Sequence, residues 1–266
     1  MRRLILFPCE GAMLAGTLDQ AIGGTGLLIV SGGNELRVGA HRGMTLLAAQ
    51  VAAAGCPVFR FDRRGVGDSE GENGGWASSA PDIAAALAAF WQEQPHLRRV
   101  VALGNCDAAT ALACFGQSAG VDALLLTNPW TGGDTDGLPP APAIRQHYGR
   151  QLRDPRVWWR ALTGAVDLRK LASGIAKLNR PAVQDVAGRV LREFERFAGP
   201  ITIVLASNDA TAIGFRSCWQ ASRSSAMRDR ARLVEIATAS HSFQRPADRA
   251  ALHAIVLAAL ADPRSA

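Results

Sequence analysis

The sequence predicts an α/β fold: a mostly parallel central sheet flanked by helices, with an inserted helical cap. Three observations carry that expectation. Short apolar runs such as Leu27-Leu28-Ile29-Val30 and Ala123-Leu124-Leu125-Leu126-Thr127 fit strands buried on both faces, the habit of a parallel sheet. Alanine-rich segments of helical length separate them. Between 131 and 198 the alternation gives way to an arginine-rich stretch opened by Gly132, Gly133 and Pro139-Pro140, with Tyr148, Trp158 and Trp159 inside it. Core over 1–130, helical cap over 131–198 and core again over 199–266 is the expected organisation.

The elements follow in order. Leu4–Phe7 and Met13–Leu18 read as an opening hairpin, closed by Gly23-Gly24-Thr25-Gly26 before the strand at 27–30. After Ser31-Gly32-Gly33-Asn34 a helix is expected from Gly43 to Ala54, stopped by Gly55. Strand 57–61 runs into the turn Asp62-Arg63-Arg64-Gly65-Val66-Gly67-Asp68-Ser69. Pro81–Glu93 is a helix with proline in its first turn. Strand 99–103, helix 107–117, strand 123–127, strands 201–206 and 232–237, and a closing helix over 246–261 complete the pattern.

A chain of 266 residues with 48% hydrophobic and 20% charged residues has ample apolar material for a core, which excludes a disordered chain. It contains no run of about 18 uncharged apolar residues, so no membrane span is expected. The basic start MRRLILFPCEGAML has too short an apolar stretch for a signal peptide and reads as a first strand, with the cytoplasm as the expected compartment. The net charge of +6 is spread along the chain, without the basic block of a nucleic-acid arm. Five scattered cysteines (Cys9, Cys56, Cys106, Cys114 and Cys218) lack metal-ligand spacing, and no metal or organic cofactor is expected. The glycines of the 62–69 turn lack the spacing of a dinucleotide loop.

Cys106 stands apart from the other thiols. In "LGNCDAATALA" it lies between a strand-like and a helix-like run, with Gly104 two residues before and Ala108 two residues after. That is the small-x-nucleophile-x-small spacing of a sharp strand-to-helix turn, where small neighbours let strand and helix pass closely. A helix starting at Asp107 points its free N–H groups at the thiol, which favours negative charge there. By itself the pattern is weak, and a buried structural cysteine is the readier reading. Its partners change that: Asp209 follows one late strand and His241 the next, in the chain order nucleophile, acid, base. Separately, Asp209 also reads as a helix cap and His241 as a loop histidine. The N–H of Asp107 is one expected oxyanion donor, and Gly33 or Asn34 supplies the other. His41 and Arg42 near that loop, and Tyr148, Trp158 and Trp159 in the cap, are candidate substrate contacts. Arg37 and Arg63 are further candidates for meeting a negative group. His96, His147 and His253 read as surface, cap or packing residues.

Together "SGGNELRVGAHRG", "FRFDRRGVGDSEG", "GNCDAATALA" and "LLLTNPW" are similar, in order and spacing, to the exosortase A system-associated hydrolases, within the α/β-hydrolase superfamily. Asn34-Glu35-Leu36 replaces the Pro-Gln-Tyr of that group's loop, and Asn105 stands where the group more often has an apolar residue. The resemblance implies a hydrolase, and gives the 62–69 turn a mainly structural role. The residues imply an ester or thioester, a small-molecule acyl substrate, cleaved through an acyl-enzyme on Cys106. Transfer of the acyl group to an amine or alcohol shares the first half of that reaction. A catalytically idle fold that binds a ligand or partner is the reading from another class.

Overall fold

The computed structural model describes residues 1–132, 186–222 and 230–262. Among them an eight-stranded sheet runs in the order β1-β2-β4-β3-β5-β6-β7-β8. Its strands are β1 (Arg2–Cys9), β2 (Ala12–Asp19), β3 (Thr25–Val30), β4 (Val58–Phe61), β5 (Arg99–Asn105), β6 (Ala123–Thr127), β7 (Ile201–Ala206) and β8 (Ala231–Ile236). The hairpin β1–β2 joins antiparallel, β2 meets β4 antiparallel, and every later pairing is parallel. The expected strands all form, with ends shifted by a residue or two.

Helices α1 (Gly43–Ala53) and α6 (Pro246–Leu260) cover one face, and α2 (Ala80–Glu93), α3 (Asp107–Ala119), α4 (Val186–Arg196) and α5 (Ala210–Ala221) the other. The two-sided burial shows in the strand period. Val100 and Ala102 of β5 enter the core beneath α2 and α3, whereas Val101 and Leu103 enter the core beneath α1 and α6. Leu124 and Leu126 of β6 divide from Ala123 and Leu125 in the same way. A strand apolar at every position is what such a sheet requires.

Two features bear on the site. The turn after β4 is built on Asp62, fully buried, which accepts hydrogen bonds from Arg37 N at 2.6 Å and Asp68 N at 3.2 Å and pairs with the Arg37 guanidinium. Arg37 also reaches Asp68 at 2.8 Å, so it braces the turn and is not turned toward a ligand. The other is the late part of the 131–198 stretch: α4 buries Val186, Val190 and Phe194 against the main core. Beside it Trp76 meets Trp130 edge-on at 6.3 Å, and the Arg189 guanidinium lies over the Trp76 and Phe115 rings at 5.6 and 5.2 Å. Tyr148, Trp158, Trp159 and His147 lie outside the described residues.

Candidate active site

The junction between β5 and α3 forces Cys106 into a backbone conformation that L-residues avoid, φ 59° and ψ −123°. The segment is pinned on both sides: Cys106 N–H donates to Thr127 O at 3.0 Å, and its carbonyl accepts from Thr110 N and Trp130 N, each at 3.2 Å. Gly104 is required there. A Cβ at that position would stand 2.7 Å from Ala108 C, 2.8 Å from its carbonyl oxygen and 2.9 Å from Ala109 N, all backbone. Strand and helix pass at glycine distance, and the thiol is held up at the carboxyl edge of the sheet, half-buried.

β7 ends at Ala206, and three residues further on Asp209 stands at the start of α5. The carboxylate caps that helix, Oδ2 accepting from Ala212 N at 3.1 Å, and the same oxygen lies 3.0 Å from His241 Nδ1. Helix cap and histidine partner are therefore one residue. Burial pushes the Asp209 carboxyl up, but hydrogen bonds and charge from His241 and the backbone N–H groups of Ala212 and Thr211 outweigh it, and its pKa falls below the usual value. His241 is raised to about 10, first by its hydrogen bond to Asp209, then by one to Cys106, against partial desolvation. The Asp209 carboxylate thus favours the protonated imidazole.

Asn128, fully buried and at φ 44°, had no role assigned from the sequence. Its Nδ2 donates to the His241 carbonyl at 2.9 Å and to Asn105 Oδ1 at 3.3 Å, while its Oδ1 accepts from Ala206 N at 2.8 Å. Thr127 Oγ1 also donates to Asn105 Oδ1, at 2.8 Å. One amide thus ties the end of β7, the histidine loop and the residue before Cys106 into one hydrogen-bonded unit. The signal available was an asparagine at a strand end, a residue type tolerant of positive φ.

The loop after β3 sits against the start of α3. Gly33 (φ 52°) donates its N–H to both carboxylate oxygens of Asp107, at 2.7 and 2.9 Å. Arg63, 2% exposed, donates to the Gly33 carbonyl at 2.5 Å and lies 3.5 Å from Asp107 Oδ2. The Asn34 side chain accepts from Asn73 at 2.6 Å. His41 (φ 52°) and Arg42 (φ 60°) are exposed at the start of α1. Their neighbours Ala40 and Gly43 help line a cavity of about 250 Å³ with Met44, Leu47, Asn105 and Phe243, but His41 and Arg42 do not line it. Among the described residues no cluster of three or more histidine, cysteine or acidic side chains could hold a metal, and no helix is long and apolar enough to cross a membrane.

Solved structures share this architecture. The thioesterase domain from the curacin biosynthetic pathway superposes with a TM-score of 0.60 at 13% identity, covering 97% of this chain and 99% of that one. The Pyrococcus furiosus esterase Pf2001 gives 0.66 at 15% identity, covering 98% and 89%, and the α/β hydrolase GrgF from Penicillium sp. gives 0.66 at 15%, covering 98% of each. At such identities the likeness is one of fold. No curated protein matches the sequence. The model of the alpha/beta hydrolase family matches residues 27–253, most of the chain and all of Cys106, Asp209 and His241. The chain belongs to the alpha/beta hydrolase family.

Proposed function

We propose that this chain is a cysteine hydrolase that cleaves a small-molecule ester or thioester through an acyl-enzyme, with Cys106, Asp209 and His241 as its triad. The observation that carries the reading is the His241 Nδ1 to Asp209 Oδ2 contact of 3.0 Å, facing a cysteine held at φ 59° on a strand-to-helix turn. Asp209 fixes the imidazole's orientation and favours its protonated form. With the proton on His241, the sulfur attacks the carbonyl carbon, and the oxygen becomes an oxyanion beside the Asp107 N–H and a second donor from the Gly33–Asn34 loop. Collapse of the tetrahedral adduct breaks the bond to the alcohol or thiol, which leaves with the His241 proton. Water then gives a proton to His241 and its oxygen to the thioester carbon. A second collapse releases the acid and returns Cys106. An amine or alcohol in place of that water would make the chain an acyltransferase. The quoted motifs further support placing it with the exosortase A system-associated hydrolases.

The test uses p-nitrophenyl esters beside acyl-CoA thioesters, with wild type and Cys106→Ala. Turnover lost in the variant, with an acyl adduct on Cys106 in wild type, is the expected result. Iodoacetamide should modify Cys106 faster than the other thiols, and His241→Ala should remove that advantage. Wild type no faster than Cys106→Ala on every substrate would refute the reading in favour of an idle, ligand-binding fold.

A further inference from the structure

Gly33, one of the two candidates for the second oxyanion donor, already spends its N–H. Gly33 N–H points at the Asp107 carboxylate and donates to both of its oxygens, at 2.7 and 2.9 Å. Gly32 lets the loop lie this close, since a Cβ there would stand 2.9 Å from the backbone carbonyl of Asn105 as well as against Asp107 Oδ1. A carboxylate and a developing oxyanion cannot share one N–H, because each needs its donor and like charges repel at that distance. Beside this contact lies a cation with an unmet need. Arg63 is 2% exposed, its Nη2 donates to the Gly33 carbonyl at 2.5 Å, and its Nη1 is buried without a hydrogen-bond partner among the described residues. Asp107 Oδ2 is 3.5 Å from Nη2, too far for a good hydrogen bond but close enough to reach by a side-chain rotation. A buried guanidinium N–H left unpaired is costly, and a carboxylate is the partner whose two oxygens suit its planar fork.

We propose that Asp107 and Arg63 form a switch at the oxyanion hole. At rest the Asp107 carboxylate occupies Gly33 N–H. When a substrate carbonyl enters, the carboxylate turns onto the Arg63 fork and frees that N–H for the oxyanion. No bond is made or broken in this step: Asp107 trades a backbone donor for a guanidinium already beside it. The backbone N–H of Asp107 remains a donor throughout. Arg63 is a positioning residue, since it holds the Gly33 carbonyl in place and receives the carboxylate. The proposal rests on the acyl-enzyme reading with Gly33 as second donor.

The experiment measures the single-turnover rate of Cys106 acylation by p-nitrophenyl acetate, with intact-protein mass recording the adduct. Thermal unfolding serves as the check that each variant folds. Asp107→Ala leaves the hole open and should acylate faster than wild type, by about tenfold if one charge-assisted hydrogen bond no longer has to be exchanged. Asp107→Asn, uncharged and of the same shape, should fall between. Arg63→Lys, which keeps the charge but loses the fork, should slow wild type about tenfold and lose most of that penalty when combined with Asp107→Ala. A folded Asp107→Ala or Asp107→Asn that acylates more slowly than wild type would make Asp107 a brace of the Gly33 loop and overturn the switch alone. Equal Arg63→Lys penalties in both backgrounds would do the same. If wild type forms no adduct on Cys106, the acyl-enzyme reading falls and takes the switch with it.

Discussion

Replacing Cys106 by glycine should leave the protein more stable than replacing it by alanine, the reverse of the usual order. At φ 59° and ψ −123° a side chain with a Cβ is strained, and such conformations cost about 1–3 kcal/mol. The strain has no route of escape, because Thr127 O holds the N–H of Cys106 while Thr110 N and Trp130 N hold its carbonyl. Alanine removes the sulfur and keeps the strain. Glycine removes both, and gives back about 0.5–1 kcal/mol through the greater freedom of its unfolded chain. The balance favours glycine by about 1 kcal/mol, a shift of roughly 0.3 M in the urea midpoint for a slope near 3 kcal/mol/M. Urea unfolding of the two variants, followed by tryptophan fluorescence with unchanged slopes, measures it directly. An alanine variant as stable as the glycine variant would refute the claim that the turn stores strain.

Three more outcomes follow from the same geometry. Gly104→Ala would drive a methyl group into the backbone of Ala108 and Ala109, and should cost about 1–3 kcal/mol in chemical denaturation, with acylation of Cys106 reduced more than stability as the turn shifts. Asn128→Ala leaves the buried Ala206 N–H without its acceptor, at about 1–3 kcal/mol, and should lower acylation by letting the histidine loop move away from Cys106, whereas Asn128→Asp keeps the acceptor and loses the donor to His241. His241 is raised from 6.5 to about 10, so the stability it adds is full below pH 6.5 and is lost as pH rises toward 10. Its side chain is 37% exposed, which holds the effect to about 1 kcal/mol or less. An NMR titration should show the imidazole midpoint falling toward 6.5 in Asp209→Asn. A midpoint unmoved by that substitution would show that Asp209 is not what raises it.

The sheet was legible because its strands are apolar at every position, and a run such as Leu124-Leu125-Leu126 has no other economical home than the middle of a two-sided layer. The turn at Cys106 was legible for a steric reason: a side chain at Gly104 would strike the backbone of Ala108 and Ala109, and small residues two positions either side of a thiol are visible in a string of letters. Helix α5 was not read, since Ala210–Ala221 contains Gly214 and a mixed set of side chains with weak periodicity, and it forms because Phe215 and Trp219 pack with Phe194. Asn128 was hidden because its partners, Ala206 and His241, stand far along the chain. The grip of Asp107 on Gly33 was hidden likewise, since an acidic residue in the first turn of a helix is ordinary on dipole grounds alone.

The cluster around Trp76 has a consequence for how this molecule holds together. Trp130 stands just before the stretch 133–185 and Arg189 just after it, and both rest on the same indole. The chain therefore departs from the sheet and rejoins it through a single doorway on the rim. The described chain on either side of that stretch is thus tied together through one ring, and replacing Trp76 would release both ends at once.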